Sequence, residues 1–112
     1  MKKQVKIGSR NVFEDMGYPD AGKHLLKAQI VAEILSITQG RKLTQKKAGE
    51  IMGITQPEVS RMMNWHFREY SMERLMGFLT LFNRDVEIVV RRREANKIGR
   101  GHVSFVPVEA VS

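Results

Sequence analysis

Apolar residues recur at helical spacing along several stretches of the chain. Leu25, Ala28, Ala32 and Leu35 form one stripe, with Ile30, Ile34 and Ile37 making a second beside it. The two together predict a helix from about Ala21 to Gln39, capped by Asp20 and stopped by Gly40. So wide an apolar face predicts packing on both flanks. Ahead of it, Asn11-Val12-Phe13-Glu14 reads as a capping box that opens barely more than one helical turn before Gly17 ends it, and Tyr18-Pro19 reads as a turn. Further on, Ser71 predicts the cap of a helix over Met72–Phe82. There Met72, Leu75, Met76, Leu79 and Phe82 face one way and Asn83 closes the end.

Beyond residue 84 the period changes from 3.6 to 2. Val86, Ile88 and Val90 alternate with Glu87, Val89 and Arg91, which predicts a strand. A polar connector containing Gly99 and Gly101 then leads to His102–Val106, a second and weaker predicted strand that Pro107 confines to an edge. The expected organisation is a basic, mobile segment over 1–10, a helical domain over 11–84 and a β appendage over 85–112. An isolated strand pair is marginal in water. Val86, Ile88 and Val90 are therefore expected to pair with the same residues of a second copy and form a dimer interface.

The segment Leu43–Asn64 carries the sharpest signal. Thr44 caps two helical turns over Gln45–Met52, and Gly53 permits the left-handed bend that ends them. Thr55-Gln56-Pro57-Glu58 has the form of a capping box, in which Thr55 receives the N3 amide and Glu58 returns a bond. Pro57 sits in the first turn, where its missing N–H is harmless. Ile54 before the cap and Val59 within the helix are placed to form a hydrophobic staple. Two short helices separated by a tight glycine turn make a helix-turn-helix. Ile51, Met52, Val59 and Met62 read as its core, and Trp65 and Phe67 as buried plugs behind it.

Composition narrows the field. A chain of 112 residues with 42% apolar content supports one modest core. The absence of cysteine excludes disulfides and thiolate metal sites. His24, His66 and His102 are too far apart for a paired-ligand motif, so no metal is expected. No apolar leader or membrane-length apolar run occurs, and a cytoplasmic location is the expectation. The serine, histidine and carboxylate residues follow no catalytic spacing, and no phosphate-cradling glycine motif is present, so neither enzymatic activity nor a cofactor is expected. The net charge of +7, with local clusters at 41–47 and at Arg91-Arg92-Arg93, suggests a polyanionic partner. The Arg91-Arg92-Arg93 run itself reads as a solvated strand end.

In their register, Leu43-Thr44-Gln45, Met52-Gly53-Ile54 and Pro57-Glu58-Val59-Ser60-Arg61 resemble the XRE family of Cro and lambda-repressor-like regulators. Gly49 departs from it, since the family usually carries alanine there; the smaller residue keeps the close helix contact at about 1 kcal/mol of helix propensity. With Asn11–Gly17, Ser71–Leu75 and Asp85–Ile88 included, roughly residues 9–90 are similar to compact XRE proteins related to HigA-type antitoxins. The resemblance implies a mainly α fold, a lambda-repressor-like helical bundle with the C-terminal β-strand pair attached. It also implies a homodimeric, sequence-specific repressor of double-stranded DNA at a pseudo-palindromic operator. Such a repressor would be the autoregulating antitoxin of a HigBA-like module, with a RelE-like ribonuclease toxin as partner. A free-standing or phage-derived regulator without a toxin is the alternative. A second alternative is a protein-interaction bridge that has lost DNA binding, which would have a neutral recognition face.

On this reading the base-edge readers are Gln56, Ser60 and Arg61, with Asn64 one turn further. The Gln56 amide suits adenine N6 and N7, and the Arg61 fork suits guanine O6 and N7. Phosphate contacts fall to Arg41, Lys42, Thr44, Gln45, Lys46 and Thr55, around the opening of the first helix and the cap of the second.

Overall fold

The computed structural model describes residues 20–108. The basic segment 1–10, the capping box at Asn11–Glu14 and the turn at residues 17–19 lie outside that range. Among the described residues four helices follow one another: α1 (Asp20–Gly40), α2 (Gln45–Met52), α3 (Gln56–Met63) and α4 (Met72–Leu81).

Each of the three shorter helices starts at the residue whose side chain can replace a missing backbone partner. The hydroxyls of Thr44, Thr55 and Ser71 accept hydrogen bonds from the amides of Lys47, Glu58 and Arg74 at 3.1, 3.3 and 3.1 Å. Such caps contribute about 1 kcal/mol apiece. Only half of the expected box at Thr55 forms: the Glu58 carboxylate accepts instead from the Tyr70 hydroxyl, at 3.4 Å.

The helix ends share a second device. A left-handed residue follows each helix, and the amide after it bonds back to a carbonyl of the last turn. Gly53 (φ 73°) and Asn83 (φ 62°) occupy this position after α2 and α4, as their residue types lead one to expect. After α1 the left-handed residue is Lys42 (φ 54°) rather than Gly40, which remains helical; Leu43 N–H closes the turn onto Thr38 O at 2.9 Å. After α3 it is Trp65 (φ 67°), with His66 N–H bonding to Arg61 O at 2.8 Å.

Helix α1 packs chiefly on α4, and α2 packs chiefly on α3. The shared core comprises Val31 and Ile34 from α1, Met52 from α2, Val59 and Met62 from α3, and Leu75, Phe78 and Leu79 from α4. Phe67 and Phe82, from the connections, are fully enclosed with them. Burying each such side chain contributes about 1.5–3 kcal/mol. The second of the two predicted α1 stripes, Ile30, Ile34 and Ile37, supplies the buried face. In the first, Leu25 and Ala32 are exposed and Ala28 and Leu35 are half-buried, so α1 is packed along one broad face and not on both flanks. Phe67 is the plug expected; Trp65 is not, since it stays 52% exposed, its ring meeting Phe67 in a T-shaped contact with centres 6.3 Å apart.

The expected C-terminal β-strand pair is absent, and no strand forms among the described residues. The chain beyond α4 does run without helix and reverses near Glu94–Lys97, where Lys97 N–H reaches Glu94 O at 3.1 Å. Its two limbs do not form a ladder. Val103 and Phe105, two residues apart, instead lay one side of the returning limb against the helical core. Period-2 patterning reports a chain with one buried side, and the helices supply the cover that a second strand was expected to provide. The outgoing limb finds no such cover, and Val86, Ile88 and Val90 are all exposed, Val90 by 90%. No helix among the described residues is long and apolar enough to cross a membrane.

Candidate nucleic-acid interface

The α2–turn–α3 unit is closed tightly by two glycines with different roles. Gly53 takes the left-handed conformation, and Ile54 N–H returns to Gly49 O at 3.0 Å. Gly49 lets α3 approach α2: a Cβ there would lie 2.7 Å from the Ile54 carbonyl oxygen and 3.3 Å from Val59 Cγ2. The approach is therefore closer than alanine allows, and the glycine is required rather than merely tolerated. Val59 and Met62 are buried against the core, fixing the rotation of α3 about its axis.

That rotation decides which side chains α3 offers outward. Gln56, Ser60 and Asn64, spaced by four, line one stripe of the helix. Gln56, Arg61 and Asn64 are exposed and Ser60 is half-buried. Two of the four already have partners within the chain. Arg61 Nη2 lies 3.4 Å from Glu69 Oε1 in an exposed ion pair. The Asn64 amide donates to the Ser60 carbonyl at 2.8 Å, closing the C-terminal turn. Exposed ion pairs are worth roughly 0–1 kcal/mol, so the Glu69 contact can hold the Arg61 guanidinium without locking it.

The residues expected to meet phosphate lie around the start of α2 and the cap of α3. Thr44, Thr55, Lys46, Lys42 and Arg41 are all exposed. The two threonines are engaged as caps, each accepting from an amide in the first turn of its helix. Gln45 is half-buried, and its amide reaches across to Met63 Sδ at 3.7 Å, linking the start of α2 to the end of α3. Among the described residues Lys46 has no ion-pair partner, whereas Lys47 is balanced by Glu50 at 3.5 Å.

Three contributing residues escaped sequence reasoning. Glu69 pairs with Arg61 across the turn after α3, at a separation that no helical rule flags. Tyr70 is buried beside Glu58, and burial, reinforced by that carboxylate, raises its hydroxyl above the ordinary phenol range, so it remains a donor. Arg84, just past α4, shares an acceptor with Arg41.

Comparison with known proteins gives a consistent picture. A family described as a helix-turn-helix domain matches residues 12–91. One solved structure, named "Putative XRE Family Transcriptional Regulator", superposes with a TM-score of 0.76 at 31% sequence identity. The match covers 80% of this chain and 100% of that one. No curated protein matches.

Proposed function

We propose, from the premise that this chain belongs to the helix-turn-helix domain family, that it represses transcription by reading a specific duplex sequence with α3. Membership, with the XRE regulator as structural neighbour, makes it a DNA-binding transcriptional regulator. The observation that carries the finer reading is the exposure of Gln56 and Arg61, with half-buried Ser60 between them, on a helix that Gly49, Val59 and Met62 hold in one orientation. Gln56 and Arg61 have the paired hydrogen-bonding groups that tell adenine and guanine from other bases. Asn64 lies one turn further, while Arg41, Lys42, Thr44, Gln45, Lys46 and Thr55 grip the backbone on either side.

A single module of this size reads too few bases to select one site among a genome of competitors. The exposed apolar run Val86, Ile88 and Val90 provides a surface that a second copy would cover, so the active species is a homodimer on an inverted site. Similarity in sequence to HigA-type antitoxins extends the proposal to an autoregulating antitoxin that also binds a RelE-like toxin. The specific observation favouring a regulator over a bridge is the polar, partly cationic α3 face.

Ile88→Lys tests the dimer and the repression together. Sedimentation should show monomers, and a reporter driven by the gene's own upstream region should lose repression. A variant that stays dimeric and repressing would remove the 86–90 segment from the interface.

A further inference from the structure

We propose that Arg41 and Arg84 form a phosphodiester-binding site at the C-terminal end of α4, so that the root of the C-terminal arm grips the same duplex that α3 reads. The inference rests on the DNA-binding reading above. Arg41 Nη2 donates to the Phe82 carbonyl at 2.8 Å, and Arg84 Nη1 approaches the same oxygen at 3.5 Å. Two guanidinium groups thus converge on one neutral acceptor. Among the described residues neither has a carboxylate partner, and both are exposed.

The negative end of the α4 dipole accounts for one cation at this place. It does not balance two, which repel each other across a single oxygen. An anion offering several acceptor oxygens would satisfy the unused N–H donors of both forks at once, and phosphate has that geometry. Arg41 is moreover pre-oriented, its guanidinium lying 5.9 Å from the centre of the Phe82 ring. A donor already held in place loses less freedom when it binds.

Gln45 joins the start of α2 to Met63 at the end of α3, and Arg41 and exposed Lys42 lie just before that start. The Phe82 carbonyl links Arg41 to Arg84, so the two cations join the connection before α2 to the base of the arm. A backbone grip beyond the recognition helix widens the footprint without adding sequence information.

Salt titration of binding separates this role from simple capping of α4. Removing one phosphate-binding cation should reduce the slope of log affinity against log salt by about 0.9. Using a mixed-sequence duplex and fluorescence anisotropy, Arg84→Gln and Arg41→Gln should each show that reduction, and the double variant about twice it. Arg84→Lys, which keeps the charge, should retain the slope. Thermal melts identify any variant that fails to fold; should Arg84→Gln be one, Arg84→Met, which keeps the apolar stem without the charge, decides the case by the same reduced slope. Unchanged slopes in folded Arg84→Gln would overturn the site while leaving DNA binding by α3 intact. A wild-type protein that bound no duplex would instead overturn the DNA-binding reading, and this inference with it. Saturable binding of inorganic phosphate that Arg84→Gln abolishes, with duplex affinity and its salt slope unchanged in that variant, would assign the site to free phosphate and overturn the proposal.

Discussion

Gly49→Val is expected to destabilise the protein by about 1–3 kcal/mol through overpacking and to abolish selective DNA binding. A Cβ at this position falls 2.7 Å from the backbone oxygen of Ile54, and backbone cannot step aside as a flexible side chain can. The branched methyls of valine would also press on Val59, whose Cγ2 is 3.3 Å from that Cβ position. Relief requires α3 to move away from α2, which carries Gln56, Ser60 and Arg61 out of register with each other's targets. Gly49→Ala should lose less, because about 1 kcal/mol of regained helix propensity opposes a smaller clash. Chemical denaturation followed by circular dichroism gives the stability change, and anisotropy gives the affinity. A valine variant with wild-type stability would mean that the turn has slack the structure does not show.

Arg61→Ala is the second large effect. It should cost about 1–3 kcal/mol of affinity for the operator, a loss of about fivefold to more than a hundredfold, and relax preference at one base pair. Stability should hardly change, since the ion pair with Glu69 is exposed on both sides and weak. The comparison that matters is with a scrambled duplex. If specific and scrambled duplexes weaken by the same factor, Arg61 touches phosphate and the base readout lies elsewhere on α3.

Much of the framework could be read from residue types. Thr44, Thr55 and Ser71 are good caps wherever they precede a helix, and they cap all three short helices. Gly53 and Asn83 tolerate a positive φ at little cost, which made those helix ends legible. Lys42 and Trp65 adopt the same conformation against their intrinsic preference, about 1–2 kcal/mol each, because the surrounding packing dictates the turn. No local rule would find them. The missing β-strand pair has a related cause. Alternation at Val103 and Phe105 was real, but what covers those side chains is the helical core and not a neighbouring strand. Sequence period distinguishes a buried side from an exposed one; it does not say what does the burying.

At the site, the polar face of α3 was legible because the Thr55 cap fixes where the helix begins and buried Val59 and Met62 fix which face is left over. The Arg61–Glu69 and Arg41–Phe82–Arg84 contacts were not. Arg61 and Glu69, and Arg41 and Phe82, stand at separations that follow no helical or strand repeat, and only the fold brings them together.

Selection of binding sites from random duplexes, followed by footprinting, tests the central claim that α3 reads specific DNA as part of a two-fold pair. The expected result is one enriched inverted sequence, with half-sites roughly 34–36 Å apart centre to centre, or a multiple of that. Two protomers should protect each duplex, and enrichment should weaken at a single position in each half-site for Arg61→Ala. Recovery of no preferred sequence, or of one asymmetric half-site protected by a single protomer, would contradict the account.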